Sequence, residues 1–198
     1  MRKFDGDRLV LASHNAGKLA ELRAMLGPLG IAVTSADEAG LAAPEETETT
    51  FEGNAALKAR TTCEATGLPA LADDSGLAVT ALGGAPGVYS ARWAAPDGNH
   101  APAIARVLEG LDGADDRSAR FVCVLALAWP DGHVETARGE APGEIVKAPR
   151  GQGGFGYDPI FLPAGRARTF AELTPEEKRE DNHRARAMRT MMEGVFER

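Results

Sequence analysis

Apolar and polar positions fall along this chain in two kinds of block, short runs that suit strands and stripes that suit helices. Leu9 to Ala12 form a strand-like run, and Leu19, Leu22 and Leu26 then lie on one helical stripe that Gly27-Pro28 ends. A second strand near Ile31 to Thr34 completes the pattern of a β-α-β unit. From Thr50 to Thr66 the pattern is again helical, with Thr50 placed as N-cap. Asn54 and Lys58 lie one turn apart on that helix, so both can address the same ligand. "LPALADDSGLAVTALGG" reads as a strand, a carboxylate-bearing loop and a second apolar run.

After the Pro/Gly-rich "GGAPGVYSARWAAPDGN", Ile104, Val107, Leu108 and Leu111 mark a third helix. "ARFVCVLALAW" is continuously apolar and predicts a central strand covered on both faces, and Asp131-Gly132 predicts a hairpin into "HVETARG". Near the end, Thr174-Pro175-Glu176-Glu177 combines a capping box with proline at the first helical position. Asn182 is placed as a second N-cap before Met188, Met191, Met192, Val195 and Phe196, a stripe that reads as core packing. Helices alternate with strands early and a hairpin dominates later. The fold class predicted is α/β, a central mixed β-sheet with flanking helices, in one domain over 1–198, with two lobes within it left open.

The 198 residues suffice for one core, and 43% hydrophobic with 26% charged residues is an ordinary globular composition. No apolar run approaches the roughly 20 residues that span a bilayer, and "MRKFDGDRLV" lacks the apolar stretch of a secretory signal. The expectation is a cytoplasmic protein with no membrane partner. Cys63 and Cys123 match no metal or redox spacing and read as buried thiols. A net charge of −7 argues against a nucleic-acid polymer as partner, while lysines focused in a cleft still suit one small anion.

Four stretches carry candidate chemistry. "RLVLASHNAGKLAEL" has the strand–loop–helix layout of a phosphate loop, yet lacks its leading glycine and has no Ser or Thr after Lys18, which weakens a P-loop kinase reading. In "ADDSG", Asp73 and Asp74 suit either a divalent cation, Mg²⁺ by their oxygen-only chemistry, or an Asx turn; the five residues do not choose. The run "PEETETTFEG" is mostly a solvated charge run, from which one of Glu45, Glu46, Glu48 and Glu52 can complete a metal shell with Asp74. In "GQGGFGYDPIF", Phe155, Tyr157 and Phe161 alternate as on one face of a strand, where a base can stack and Asp158 can accept from a ring N–H. A Gly-rich turn feeding an ordinary buried strand is the competing reading. His183-Arg184, usually surface charge, here follows a helix N-cap with Lys178 nearby, which suits an anion or a carbonyl-bearing base. Lysines 18, 58 and 178, a metal site and an aromatic loop together suit a nucleotide.

In order and spacing, "LASHNAGKLAEL", "EETETTFEGNAALKAR", "ALADDSGLAVTALGGAPGVYSARW", "GQGGFGYDPIF" and "AELTPEEKREDNHRARAM" make the chain resemble the inosine triphosphate pyrophosphatase family, the noncanonical purine NTP pyrophosphatases. The resemblance implies Mg²⁺-dependent hydrolysis of ITP, dITP and XTP to the monophosphate and pyrophosphate, which clears deaminated purines from the nucleotide pool. It also implies a long mixed sheet in two lobes with the substrate in the cleft between them, and a homodimer. Carried over by motif, Ser13, His14, Asn15, Ala16, Gly17 and Lys18 form the substrate loop. Asp74 is the general base and a metal ligand, Ser75 contacts substrate, and Glu46 matches the acidic metal position. Phe155, Gly156, Tyr157, Asp158, Lys178, His183 and Arg184 fall in the base and phosphate pocket, and Lys58 is expected on the phosphates.

Three positions depart from the family pattern: Ser13 stands where threonine is common, Gly53 where bacterial members often carry glutamate, and Asn182 where serine is usual. Gly53 puts a metal-site role at that position in doubt. Two other readings stay open, a related pyrophosphatase acting on pyrimidine or modified nucleotides and a module that binds triphosphates without cleaving them.

Overall fold

A computed structural model describes residues 1–197. Its strands are β1 (Arg8–Ala12), β2 (Ala32–Ser35), β3 (Ala70–Val79), β4 (Ser118–Ala128), β5 (Val134–Ile145) and β6 (Phe161–Pro163). Its α-helices are α1 (Ala16–Leu26), α2 (Phe51–Thr66), α3 (Ala101–Gly110), α4 (Pro175–Asp181) and α5 (His183–Met191). The strands form one six-stranded sheet in the order β2-β1-β3-β4-β5-β6. β1 runs parallel to β2 and to β3, whereas β5 and β6 are antiparallel, so the sheet is mixed as expected. The β1-α1-β2 unit is the parallel crossover that the early periodicity predicts.

The chain divides into two compact units. The first comprises Met1–Asp74, Cys123–Gly139 and the stretch from Arg184; the second comprises Ser75–Val122 and Glu140–His183. Both boundaries of the Ser75–Val122 segment therefore fall inside strands, β3 and β4. Each unit has its own core. In the first, Leu19, Leu22 and Leu26 of α1 meet Leu71, Cys123, Leu125, Leu127, Met188 and Met191. The alternate residues 123, 125 and 127 of β4 go into this cluster, as a period of two requires. The methionine stripe is thus core, and after α5 it continues through one π-helical turn, Met192–Phe196. In the second unit Val107 and Leu111 of the α3 stripe join Leu77, Phe121, Ile145, Phe161 and Phe170. Cys63 and Cys123 are both buried, as expected.

Local signals place several helix ends. Thr50 caps α2, its hydroxyl accepting from Gly53 N at 3.0 Å. Thr174 and Glu177 form the expected capping box at α4. Asn182, extended at φ −78° and ψ 172°, separates α4 from α5. Two expectations fail. The "ADDSG" segment is not a loop between two strands, because β3 runs unbroken from Ala70 to Val79 with both aspartates inside it. Phe155 to Phe161 is not one strand either: turns and a 3₁₀ segment, Asp158–Ile160, precede the three residues of β6. Among the described residues no helix is long and apolar enough to cross a membrane.

Candidate active site

Successive strand residues point to opposite faces, and this separates the two aspartates of β3. Asp73 faces α1 and the start of α5. Its Oδ1 lies 2.5 Å from Lys18 Nζ, and its Oδ2 accepts from Arg184 Nε at 2.7 Å and from the Cys123 thiol at 3.0 Å. Arg184 also pairs with Glu21. Asp73 and Arg184 are almost wholly inaccessible. Burial would raise the Asp73 carboxyl, but Arg184 and Lys18 overcome it and hold it well below the usual carboxylate range. Burial likewise opposes the Arg184 charge, and Asp73 and Glu21 more than restore it. The named members of this network, Asp73, Glu21, Arg184 and Lys18, bring two negative and two positive charges together.

Asp74 faces α2 instead. Its Oδ1 accepts from Lys58 Nζ at 2.7 Å, and the same ammonium donates to Glu46 Oε1 at 2.9 Å. Asp74 Oδ2 is buried and, among the described residues, has no hydrogen-bond partner. Burial raises the Asp74 carboxyl above its ordinary value, despite Lys58 and Lys18 and with help from Glu46. A carboxylate of raised pKa in a cluster with a specific partner suits a general base. Lys58 moves the other way relative to its burial: Asp74 and Glu46 keep its ammonium charged.

Ser13 to Lys18 lead from β1 into α1. Ser13 is buried, and its hydroxyl accepts from Asn15 N at 3.2 Å. Asn15 is the helix N-cap, its side-chain oxygen accepting from Lys18 N at 3.0 Å. Ala16 and Gly17 therefore open the helix at its positive end, where backbone N–H groups favour an anion. His14 is turned to Asp37, with Nδ1 to Oδ1 at 2.5 Å. Gly53 has a local explanation. A Cβ there would fall 2.8 Å from Glu48 Cβ, so Glu48 occupies the side of α2 that a residue 53 side chain would use. Asn54, fully buried, accepts from Glu48 N at 3.1 Å and so ties the acidic run to α2.

In the second unit, Lys178 of α4 is buried, its Nζ 2.6 Å from Asp158 Oδ2 and 4.3 Å from the Phe155 ring centroid. Asp158 Oδ2 also accepts from Phe155 N at 2.8 Å, which folds the glycine loop over the carboxylate. Gly154 makes that fold possible: its φ is +71° and a Cβ would lie 2.1 Å from Asp158 Oδ2. Gly156 follows, also at positive φ. The Tyr157 hydroxyl donates to Ser90 O at 2.8 Å, and its burial pushes its pKa up. The His183 ring stacks on Phe121 at 4.8 Å and is buried, which overturns the surface-charge reading of His183-Arg184. Ser75, half-buried, follows Asp74 on β3.

The sequence reading named Lys18, Asp73 and Arg184, and Glu46, Lys58 and Asp74, but not Glu21 or the Cys123 thiol beside Asp73, nor which residue pairs with which. Glu21 had one faint signal, a carboxylate beside the Leu19/Leu22 stripe of α1. The Asp73–Arg184 pair spans 111 residues and the Tyr157–Ser90 bond 67, and no local pattern encodes either.

The whole arrangement sits in a chain that matches the Ham1 family over residues 9–194. This chain belongs to that family. It is 56% identical, over 98% of each chain, to a protein of Rhodospirillum centenum named dITP/XTP pyrophosphatase. It is 50% identical, over the full length of both, to one of the same name from Agrobacterium fabrum. A solved HAM1 protein structure from Coxiella burnetii superposes with a TM-score of 0.85 at 46% identity, covering 93% of this chain and 95% of that one. Membership extends across both units, so each cluster described above belongs to a Ham1 chain.

A divalent cation fits the Asp74 cluster on the chemistry of its donors. Glu46, Asp74 and Lys58 sum to −1 (two anions, one cation), and Asp74 Oδ2, buried, lacks a partner among the described residues. Among the described residues no group of three or more His, Cys, Asp or Glu is gathered for a metal. Mg²⁺ needs no such cage, since it commonly takes one or two carboxylates with waters and substrate phosphates.

Proposed function

We propose that the protein hydrolyses noncanonical purine nucleoside triphosphates, with dITP, ITP and XTP as substrates, to the monophosphate and pyrophosphate. The observation that carries the reading is the Asp74 cluster, a raised, buried carboxylate with one oxygen unpartnered among the described residues, beside a lysine shared with Glu46. The names of the Rhodospirillum and Agrobacterium relatives supply the substrate class. The resemblance supports Mg²⁺ as the metal, a homodimer and a cytoplasmic setting.

Asp74 removes a proton from the attacking water. The oxygen bonds to a phosphorus flanking the α–β bridge, the bond from that phosphorus to the bridging oxygen breaks, and the bridging oxygen departs on the other fragment, so that monophosphate and pyrophosphate are released. Glu46 and Asp74 would hold a divalent ion, which when bound would supply positive charge to the phosphate oxygens. Lys18, Lys58 and the start of α1, with Ser13, Asn15, Ala16 and Gly17, neutralise the rest of the triphosphate. His14 closes the same loop, and Ser75 contacts the substrate next to Asp74. In the second unit Phe155, Gly156, Tyr157, Asp158, Lys178 and His183 select the base. A buried donor such as Lys178 Nζ suits a 6-oxo group and is left opposed by the 6-amino donor of adenine. Arg184, committed to Asp73 and Glu21, supports the loop lysine.

A panel of triphosphates with Mg²⁺, read by ³¹P NMR or ion chromatography, tests this. Pyrophosphate should appear from dITP, ITP and XTP, with far slower turnover of ATP and GTP. Orthophosphate as the initial product, or equal rates on ATP, would sink the proposal.

A further inference from the structure

Two lysines of the first unit rest on adjacent carboxylates in different company. Lys18 sits on Asp73 in a network that brings two anions and two cations together. Lys58 stands between Glu46 and Asp74, one cation against two anions. Among the described residues, Asp74 Oδ2 is a buried acceptor still to be filled.

We propose that Lys58 is a placeholder for the divalent cation, holding Glu46 and Asp74 together until nucleotide arrives and then moving to a phosphate oxygen. The inference rests on reading Glu46 and Asp74 as the protein's metal ligands. An ammonium and a divalent ion compete for the same carboxylate oxygens, because each neutralises the other's attraction to them. The flexible four-carbon stem of lysine lets its point charge swing to a new anion without backbone movement. A triphosphate offers that anion. Metal alone therefore binds weakly, and metal and nucleotide bind cooperatively, since each removes the obstacle to the other. Lys58 acts here as a positioning residue, and the effect is one of binding order.

The test is binding of Mn²⁺ alone, without nucleotide, followed by the EPR signal of free Mn²⁺. Lys58→Met should bind the ion about ten- to a hundredfold more tightly than the parent, although it turns over substrate poorly. Lys58→Arg should bind it as weakly as the parent, and adding Glu46→Gln to Lys58→Met should abolish the gain. Circular dichroism checks the fold, and Lys58→Gln replaces the methionine variant if that chain does not fold. If Lys58→Met binds Mn²⁺ no more tightly while Glu46→Gln or Asp74→Asn weakens binding, the carboxylates hold the metal but the placeholder idea is wrong. If Glu46→Gln and Asp74→Asn leave Mn²⁺ binding unchanged, the ligand assignment fails and the placeholder fails with it.

Discussion

Replacing Asp73 by asparagine keeps the shape of the side chain and removes its charge. One oxygen now becomes an NH₂ group, set against Lys18 Nζ or Arg184 Nε, donors that lie 2.5 and 2.7 Å from the native carboxylate. Asp73 is inaccessible and Arg184 nearly so, which leaves the guanidinium buried with Glu21 as its named anion. Breaking a buried pair from one side costs about 3–5 kcal/mol. For a chain of this size that corresponds to a fall in Tm of roughly 6–20 °C. The pH dependence has a definite sign. The folded carboxyl is depressed, so its contribution is fully present above an unfolded pKa of about 3.9 and is lost as pH falls through the folded value. Urea unfolding of parent and Asp73→Asn should show a constant gap from pH 7 to 5, narrowing by about 1 kcal/mol between pH 5 and 3. Carboxylates common to both proteins cancel in that difference. A gap under about 1 kcal/mol at pH 7, or one that widens in acid, would refute the assignment of Asp73 as the anchor of the network.

Asp74→Asn should behave in the opposite way, losing about 10²–10⁴-fold in turnover while leaving the urea midpoint close to the parent's. The fold disfavours the Asp74 charge, so its removal relieves a cost; near-normal pyrophosphate release would remove it as the base. Gly154→Ala should destabilise the second unit and raise KM, because alanine is strained at φ +71° and its methyl collides with Asp158. A KM equal to the parent's would show that the loop over Asp158 has no part in binding. Neither Cys63 nor Cys123 should react with a thiol reagent until the protein unfolds, since both are buried and burial raises the Cys63 thiol further. Rapid labelling of the native protein would contradict this.

Much of this was readable before any coordinates. The stripes of α1, α3 and α5, the apolar run of β4 and the caps at Thr50 and Thr174 are local signals, and local physics decides them. The single strand β3 was not, because "ADDSG" carries every mark of a turn: two aspartates, a serine and a glycine. What keeps it extended is tertiary, cations from α1, α2 and α5 meeting charges that a lone strand would have to bury unpaired. The aromatic alternation from Phe155 to Phe161 misled for a related reason. Its period of two is genuine in the letters, but Gly154 and Gly156 turn the chain, and Tyr157 and Phe161 reach the core from a turn and a short strand. Motif resemblance picked out Lys18, Lys58, Asp74 and Lys178; that Lys18 goes to Asp73 and Lys58 to Asp74 required knowing which side of the sheet each aspartate faces.

That division is held by register. β3 pairs with β1 through Val10↔Ala70, Leu11↔Leu71 and Ala12↔Ala72, and Leu71 enters the same core as the α1 leucines. A slip of one residue would turn Leu71 out of that core and exchange Asp73 with Asp74. The buried leucine two positions before the anchor thus acts as a proofreader of chemistry. An inserted residue in the loop that ends with Pro69 should therefore stay in the loop, because letting it enter β3 would expose Leu71 and deliver the wrong carboxylate to Lys58.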